Sequence, residues 1–558
     1  MRQAALPTAR TRERVHAEVP ERTDVVVIGA GLGGLMTAAR LARAGLAVTV
    51  FDAHYVAGGC ATMFHRTTRR GTWQFDIGLH YIGDCGPGGR IPTLLAEVGV
   101  ELEFARMDDD GFDTIVLPDL RFPIPADRDR YRQRLVEFFP REKRGIDRYV
   151  RLLEEVDHMA TWMEQEHRGG VATSLQMLWQ VASHGRLLAR YQHATIAQVL
   201  DDCTDDPVLR AVLLGQSGDY GVSPRRASAL MHLGLQNHYF RGAWYPVGGG
   251  QVIADALCEV IESHGGRVCL RKPIDRILVE GGRAVGVRVA PARQDPREVR
   301  ADVVVSNADL KHTLGDLLPE EALPPRWSQR RRKLEMGGAI FLGFFGVEGD
   351  LRKLGMQARN YWCFDSVDVE GMYADVARGR LDPRCVYITS ASLKDPATTG
   401  HTPEGTMGVE VMALAPGCPE AWGVSPDDVL TGRYRKDPTY LAHKQRVEER
   451  LVEHLDRRFP GVAARLVFRE SATPVTHTRF TRASEGTGYG LAATPEQMLK
   501  NRPGYRGPVD GLYLAGANTR AGHGIVGALA SGRKAARRIL ADRGRLSSPP
   551  GSGSSGPA

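Results

Sequence analysis

The run Asp24–Asp52, DVVVIGAGLGGLMTAARLARAGLAVTVFD, constrains the fold more than any other part of the chain. Val25–Ile28 is a continuous apolar stretch of the kind that forms a buried parallel strand. A glycine turn follows, then a helical pattern with Ala38, Leu41 and Ala42 on one face, a stop at Gly45, and a second apolar strand ending at Asp52. This is a complete βαβ unit. In its turn, Gly29 permits the tight bend, Gly31 lets a pyrophosphate approach the backbone, and Gly34 allows close helix–strand packing. The helix N-terminus then offers N–H groups and positive dipole to phosphate, with Ala30 and Gly33 in the same turn. Asp52 stands where a carboxylate accepts a ribose hydroxyl, which disfavours a 2′-phosphorylated nucleotide.

Composition narrows the class. The 558 residues are 42% hydrophobic and 25% charged, which is globular and long enough for a large core. The net charge of +7 comes with Arg interspersed among Asp and Glu, so no basic face points to nucleic acid. The eight cysteines are scattered, with no CxxC pair and no Cys/His spacing for zinc; they read as reduced thiols of a cytoplasmic protein without a metal site. The N-terminus has Arg but no signal-type apolar core, and no run reaches the ~18 apolar residues of a membrane span, so a soluble or membrane-peripheral protein is expected.

Two further glycine-bearing blocks lie far downstream. Tyr245–Val289 reads as a glycine turn, an amphipathic helix from about Val252 and alternating strands, and Asp302–Val305 adds another strand. Gly511–Leu540 is a short strand, LYLAG, a turn, ANTRAGHG, and a long helix. The spacing predicts one discontinuous domain, 23–90, 244–309 and 501–544, with a second, mixed domain formed by 91–243 and 310–500. Residues 1–22 read as a solvated arm and 545–558 as a disordered tail. GQSGD at Gly215–Asp219 lacks the last glycine of a nucleophile elbow, and Gly248–Gly250 is followed by no Walker lysine.

Asp52, the five residues after it and then Gly58-Gly59 resemble the extended fingerprint of glutathione-reductase-like flavoproteins, which favours FAD. GAGLGGL, VFDAHYVAGGCATMF, FDIGLHYIG, YPVGGGQVIADAL and LYLAGANTRAGHGIVGALASGRKAA occur in order and resemble the phytoene desaturase, carotenoid isomerase and retinol saturase superfamily. That resemblance implies an α/β (α+β overall) protein with a Rossmann-like FAD domain of the glutathione-reductase/p-hydroxybenzoate-hydroxylase type and a mixed substrate domain. It implies FAD contacts from Gly29, Ala30, Gly31, Gly33, Gly34, Asp52, Ala53, Gly58, Gly59 and Cys60. Ile274 would meet adenine through its backbone. Gly516, Ala517 and Asn518 would lie along the ribityl and pyrophosphate, and Gly524 and Ile525 would aim N–H groups at the flavin pyrimidine edge. Relatives often have Glu, Arg or Lys and Asp where Asp52, Cys60 and Asn518 stand.

The activity so implied is FAD-dependent chemistry at a carbon–carbon double bond of an apolar conjugated polyene. Retinol-saturase-like reduction or cis–trans isomerisation comes first, and desaturation is the alternative. A flavin amine oxidase or a non-enzymatic isoprenoid carrier remain as other classes. His80 and Tyr81 are candidates for proton donation or substrate placement, or form a packed pair; His523 is a second candidate or a loop histidine. A helix over 171–200 reads as a lid for a lipophilic tunnel, able to touch a membrane, or as ordinary core. Met336–Val347 and Tyr361–Phe364 suit a substrate chamber or a buried sheet. With no second dinucleotide motif, a transiently bound electron donor or acceptor is expected.

Overall fold

The computed structural model describes residues 9–164, 171–291 and 295–546. The apolar strand Arg22–Ile28 lies between Val48–Phe51 and Arg297–Ser306, parallel to both. Arg267–Cys269 extends the sheet beyond Val48–Phe51, and the antiparallel strands Arg283–Val289 and Ile274–Glu280 extend it on the other side. Leu512–Leu514 also pairs in parallel with Arg297–Ser306. Three segments remote in sequence therefore share one sheet, because Arg297–Ser306 carries partners on both edges.

The helix Leu32–Arg43 packs on this sheet against Gln251–Ser263 and Gly524–Leu546. The last contact is backbone to backbone. A Cβ on Gly532 would lie 2.4 Å from the Gly33 carbonyl oxygen, and two helices approach this closely only where side chains are missing.

A second sheet runs in the order Leu466–Ala472, Ala339–Glu348, Thr406–Ala415, Cys385–Thr389, Asn360–Phe364, Asp113–Leu117, Leu120–Ile124. Period-two alternation divides its strands between two layers. On Ala339–Glu348, Phe341, Phe345 and Val347 join a core with Trp422 and the helix Pro438–Arg458, whereas Leu342 and Phe344 join the opposite core. The stretch at Met336–Val347 is thus both a sheet strand and a cavity wall, one role per face. The helices Arg128–Phe138, Lys143–Glu164 and Ala229–Tyr239 close that opposite side.

Packing departs from the sequence expectations at several places. The arm expected over residues 1–22 is, in its described part, the helix Ala9–His16 followed by the first residue of the strand Arg22–Ile28. Arg14 is buried and pairs with Glu262 at 2.7 Å, its backbone carbonyl accepts from Leu270 N, and Val15 enters the nucleotide-side core. Ile91, Leu94, Leu95, Val98 and Val100 belong to that same core, and Leu310, Leu314, Leu317 and Trp327 cover the other face of its sheet. Hydrophobic faces, not the sequence gaps between motifs, set where the two units meet. The single helix expected over 171–200 is three, Val171–His184, Arg186–Tyr191 and Ile196–Asp201, the last beginning at a Thr195 capping box. The final helix runs to Leu546, and the tail expected beyond it lies outside the described residues from 547.

Arg14→Ala is expected to lower the unfolding free energy by about 1–3 kcal/mol, through lost stem packing and ion pairing. Denaturant titration checks this; a side chain on a solvated arm would leave the midpoint unchanged.

Candidate functional site

At the end of Arg22–Ile28 the glycine turn is held by three backbone bonds: Gly29 N donates to Phe51 O, Gly58 N to Ala30 O, and Leu35 N to Gly31 O. Gly29 has φ +95°, a conformation open to glycine, and a Cβ on Gly34 would lie 2.2 Å from the Gly29 oxygen. A Cβ on Gly33 would sit 2.7 Å from Gly516 Cα, and one on Gly59 3.1 Å from Gly31 Cα. Asn307, which the motif reading did not single out, is the common neighbour. Its Nδ2 donates to Gly29 O at 3.3 Å, and its side chain is what a Cβ on Gly31, Gly33 or Gly516 would strike. Its only sequence signal is that it follows an apolar strand.

Asp52 Oδ2 accepts from Ala30 N at 2.7 Å and Oδ1 from His54 N at 2.7 Å. The carboxylate is thereby fixed beside the turn, and each oxygen keeps a lone pair for a ribose hydroxyl. The helix Leu32–Arg43 has Gly31 at its N-cap with no side-chain cap, so its first N–H groups are left for a phosphate.

One cavity of ≈ 730 Å³ joins the sequence-predicted residues Gly29, Gly31, Gly33, Asp52, Ala53, Gly58, Gly59, Cys60 and Ile274 to Gly516, Ala517, Asn518, Gly524 and Ile525. Ala30 and Gly34 shape the turn from behind. Cys60 opens onto the cavity yet sits deep in the molecule, where burial pushes its thiol up to about 11; it brings no charge to a phosphate. Asn518 spends its Oδ1 on Leu491 N at 2.9 Å. Beside it is a cation that no motif announced: Arg502 is 1% exposed and donates from Nη2 to Ala517 O at 2.8 Å and Leu491 O at 3.2 Å. Burial lowers it to about 10, so it stays charged at neutral pH.

The cavity continues into an aromatic chamber lined by Phe344, Trp362, Phe364, Tyr239 and Tyr387, with Met231, Leu235 and Met412. His80 and Tyr81 line it too. His80 Nε2 has no hydrogen-bond partner among the described residues. Burial, reinforced by Lys394, whose ammonium binds the His80 carbonyl, lowers this imidazole to about 3. His80 is therefore neutral, which weighs against the expected role as a cationic proton donor and leaves placement. His523, also on the wall, is lowered by burial to about 3. Tyr81 is stacked on Tyr239, with ring centroids 4.4 Å apart, and its hydroxyl lies between the carboxyls of Asp113 and Asp219.

FAD fits these residues. The glycine cradle leaves no room for side chains where a pyrophosphate needs backbone, the helix N-terminus is uncapped, and Asp52 is oriented for a ribose. Among the described residues, no group of three or more His, Cys, Asp or Glu could hold a metal.

The family model described as flavin containing amine oxidoreductase matches residues 32–344 and 430–540. The chain is 30% identical over 518 residues to an all-trans-retinol 13,14-reductase of Danio rerio, covering 90% of this chain and 83% of that one. It is 24% identical over 534 residues to prolycopene isomerase 1 of an Oncidium hybrid cultivar, covering 94% and 85%. Among solved structures, an oxidoreductase from Methanosarcina mazei superposes with a TM-score of 0.60 at 18% identity, over 93% of this chain and all of that one. The glycine cradle, its order along the chain and these likenesses together make the protein an FAD-dependent enzyme of the flavin-containing amine oxidoreductase family, within the phytoene desaturase, carotenoid isomerase and retinol saturase superfamily.

Proposed function

We propose that this enzyme saturates a carbon–carbon double bond of an apolar conjugated isoprenoid of the retinol type. The observation that carries the reading is the single cavity that runs from the dinucleotide cradle into a chamber walled by aromatic and aliphatic side chains. Such a wall rewards a long apolar ligand by burial, at about 25 cal/mol per Å² of apolar surface. Asp219, an acid beside these aromatic side chains, is raised to about 8 by burial and so offers little to an ammonium group. That favours a polyene over an amine. The named activity of the relatives at 28–30% identity, retinol 13,14-reduction, supports the same choice.

When bound, FAD supplies two-electron hydride chemistry. The chain's own contribution is to hold the nucleotide by Asp52, Gly31 and the first turn of Leu32–Arg43, and to set Arg502 beside the loop 516–518. Leu342, Phe344, Trp362 and Tyr239 exclude water and orient the substrate. We also propose that the helix Val171–His184 touches a lipid surface, from which such a substrate would arrive. Its Met177 and Trp179 are exposed, and no described helix is long and apolar enough to cross a membrane. All eight cysteines are free, which supports a reducing, cytoplasmic setting.

Anaerobic incubation of the purified yellow protein with all-trans-retinol and with carotenes tests the activity. With chemically pre-reduced flavin the product is expected to be heavier by two hydrogens, with return of the oxidised flavin absorbance. Bleaching of oxidised flavin by the polyene would mean desaturation, and unchanged mass with altered double-bond geometry would mean isomerisation. Either outcome replaces the proposal.

Asp52→Ala is expected to weaken FAD binding by about 10–100-fold, since a fixed carboxylate is worth roughly 1.5–3 kcal/mol in charged hydrogen bonds. Flavin content after gel filtration and fluorescence titration of the apoprotein measure it. Retention of FAD at wild-type affinity would remove Asp52 from the site.

A further inference from the structure

The turn Ser217–Asp219 is no nucleophile elbow, but folding gives its aspartate other company. The Asp219 Oδ2 atom lies 2.6 Å from the Tyr81 hydroxyl oxygen, and the same oxygen lies 3.1 Å from Asp113 Oδ2. A phenol has one proton to donate, so it satisfies one ionised carboxylate and turns lone pairs toward the other. Burial raises the carboxyl of Asp113 too, but Asp113 is the better held anion, because it also accepts from Asn360 Nδ2 at 2.9 Å, Gln216 Nε2 at 2.7 Å and Trp362 Nε1 at 3.2 Å. Among the described residues, Tyr81 is the one hydrogen-bond partner of the Asp219 side chain. Two anions around one hydroxyl, Asp113 buried and Asp219 half-buried on the cavity wall, would leave an oxygen facing lone pairs. A proton on Asp219 removes the conflict: Asp219 donates to Tyr81, and Tyr81 donates to Asp113.

The surroundings favour that proton. Burial and the charge of Asp113 raise Asp219 to about 8. The other ionisable groups facing it are Tyr220, Tyr239, Tyr387, Tyr373 and Tyr489, whose phenols burial raises further, and His523, which burial keeps neutral. None of these is a cation at neutral pH. The position is also fixed. Tyr489 donates to Gly218 O at 2.7 Å and packs 5.3 Å from the His523 ring, which ties the turn to the loop between Asn518 and Gly524. Asp219 thus lines the cavity where the nucleotide loop meets the aromatic chamber.

We propose that Asp219 is the proton donor of the double-bond reduction, with Tyr81 as its positioning residue; this rests on the function proposed above. One alkene carbon gains hydride from a two-electron-reduced flavin, which is thereby oxidised. The π pair moves to the neighbouring carbon and takes the Asp219 proton. One π bond is lost, two C–H bonds form, and Asp219 is left as a carboxylate. Tyr81 then turns its proton from Asp113 to the new anion until water returns the proton to Asp219.

Two readouts on the FAD-loaded enzyme test this. In infrared spectra, the wild-type-minus-D219N difference should show the carbonyl band of a neutral carboxyl at neutral pH, fading with a midpoint near 8, while the band of Glu410, a buried carboxyl likewise raised to about 8, cancels. Asp219→Asn, with flavin content and melting temperature retained, should lower reductive turnover about 100-fold or more. Wild-type turnover should fall as pH rises through the same midpoint, because the acid form is lost there. Tyr81→Phe should move the midpoint upward, since the anion loses a donor. A D219N enzyme that keeps wild-type turnover overturns the proposal, and so does a difference spectrum with no neutral-carboxyl band. If wild type saturates no polyene, the function reading fails and takes the donor role with it. The infrared band needs no substrate, so it separately reports the ionisation of Asp219 and distinguishes the two failures.

Discussion

Everything in this protein hangs on a contact made without side chains. At the end of the strand Arg22–Ile28 the turn at Gly29–Gly34, the loop at Gly516 and the residue Asn307 meet closely enough that a Cβ at Gly33, Gly34 or Gly516 would overlap backbone or the Asn307 amide. Gly33 is also the residue that Gly532 of the helix Gly524–Leu546 crosses at close range. Three segments separated by hundreds of residues are thereby locked to one point, and that point is where a dinucleotide needs exposed backbone N–H groups. Packing and binding make the same demand here, absence of side chains, which is why one set of glycines serves both.

The second constraint is dielectric. The chamber beyond the cradle is walled by Phe344, Trp362, Tyr239, Tyr387 and Leu342, and charges placed there are costly unless paired. The fold answers differently at each ionisable group. Asp113 collects three donors from two segments, His80 and His523 stay neutral, and Asp219 is driven toward its protonated form. Behind the wall, Lys394, Glu410, Asp76 and Tyr245 form a further buried cluster, with Lys394 lowered to about 8 chiefly by burial. An apolar chamber and an acid poised near neutral pH are consequences of one property, the removal of water.

The cofactor half was legible because its signals are local. A glycine turn, the strand before it, the helix after it and the carboxylate at Asp52 lie within thirty residues, and each spacing has one physical use. The catalytic half was not. His80 and Tyr81 line the cavity, but the ionisation of His80 depends on burial and on Lys394, more than three hundred residues away. Arg502 and Asn307 carry no motif; each gains its role from backbone carbonyls and glycines supplied by other segments. The arm over 1–22 read as solvated because its Arg-rich composition hides that Arg14 is buried and paired with Glu262.

By itself the sequence determined that the chain builds a nucleotide-binding βαβ unit, that this unit is completed from distant segments, and that its ligand is a dinucleotide approached by backbone. Those properties follow from steric and periodic rules acting over a few residues. Only the tertiary structure decided which residues face the substrate and in what protonation state. The alternation of Ala339–Glu348 assigned its aromatic side chains to two different layers, and the meeting of Tyr81 with Asp113 and Asp219 gave an unremarkable GQSGD turn a carboxyl of raised proton affinity on the cavity wall. Burial and through-space charge set a proton affinity, and neither exists until segments far apart in sequence are folded against one another.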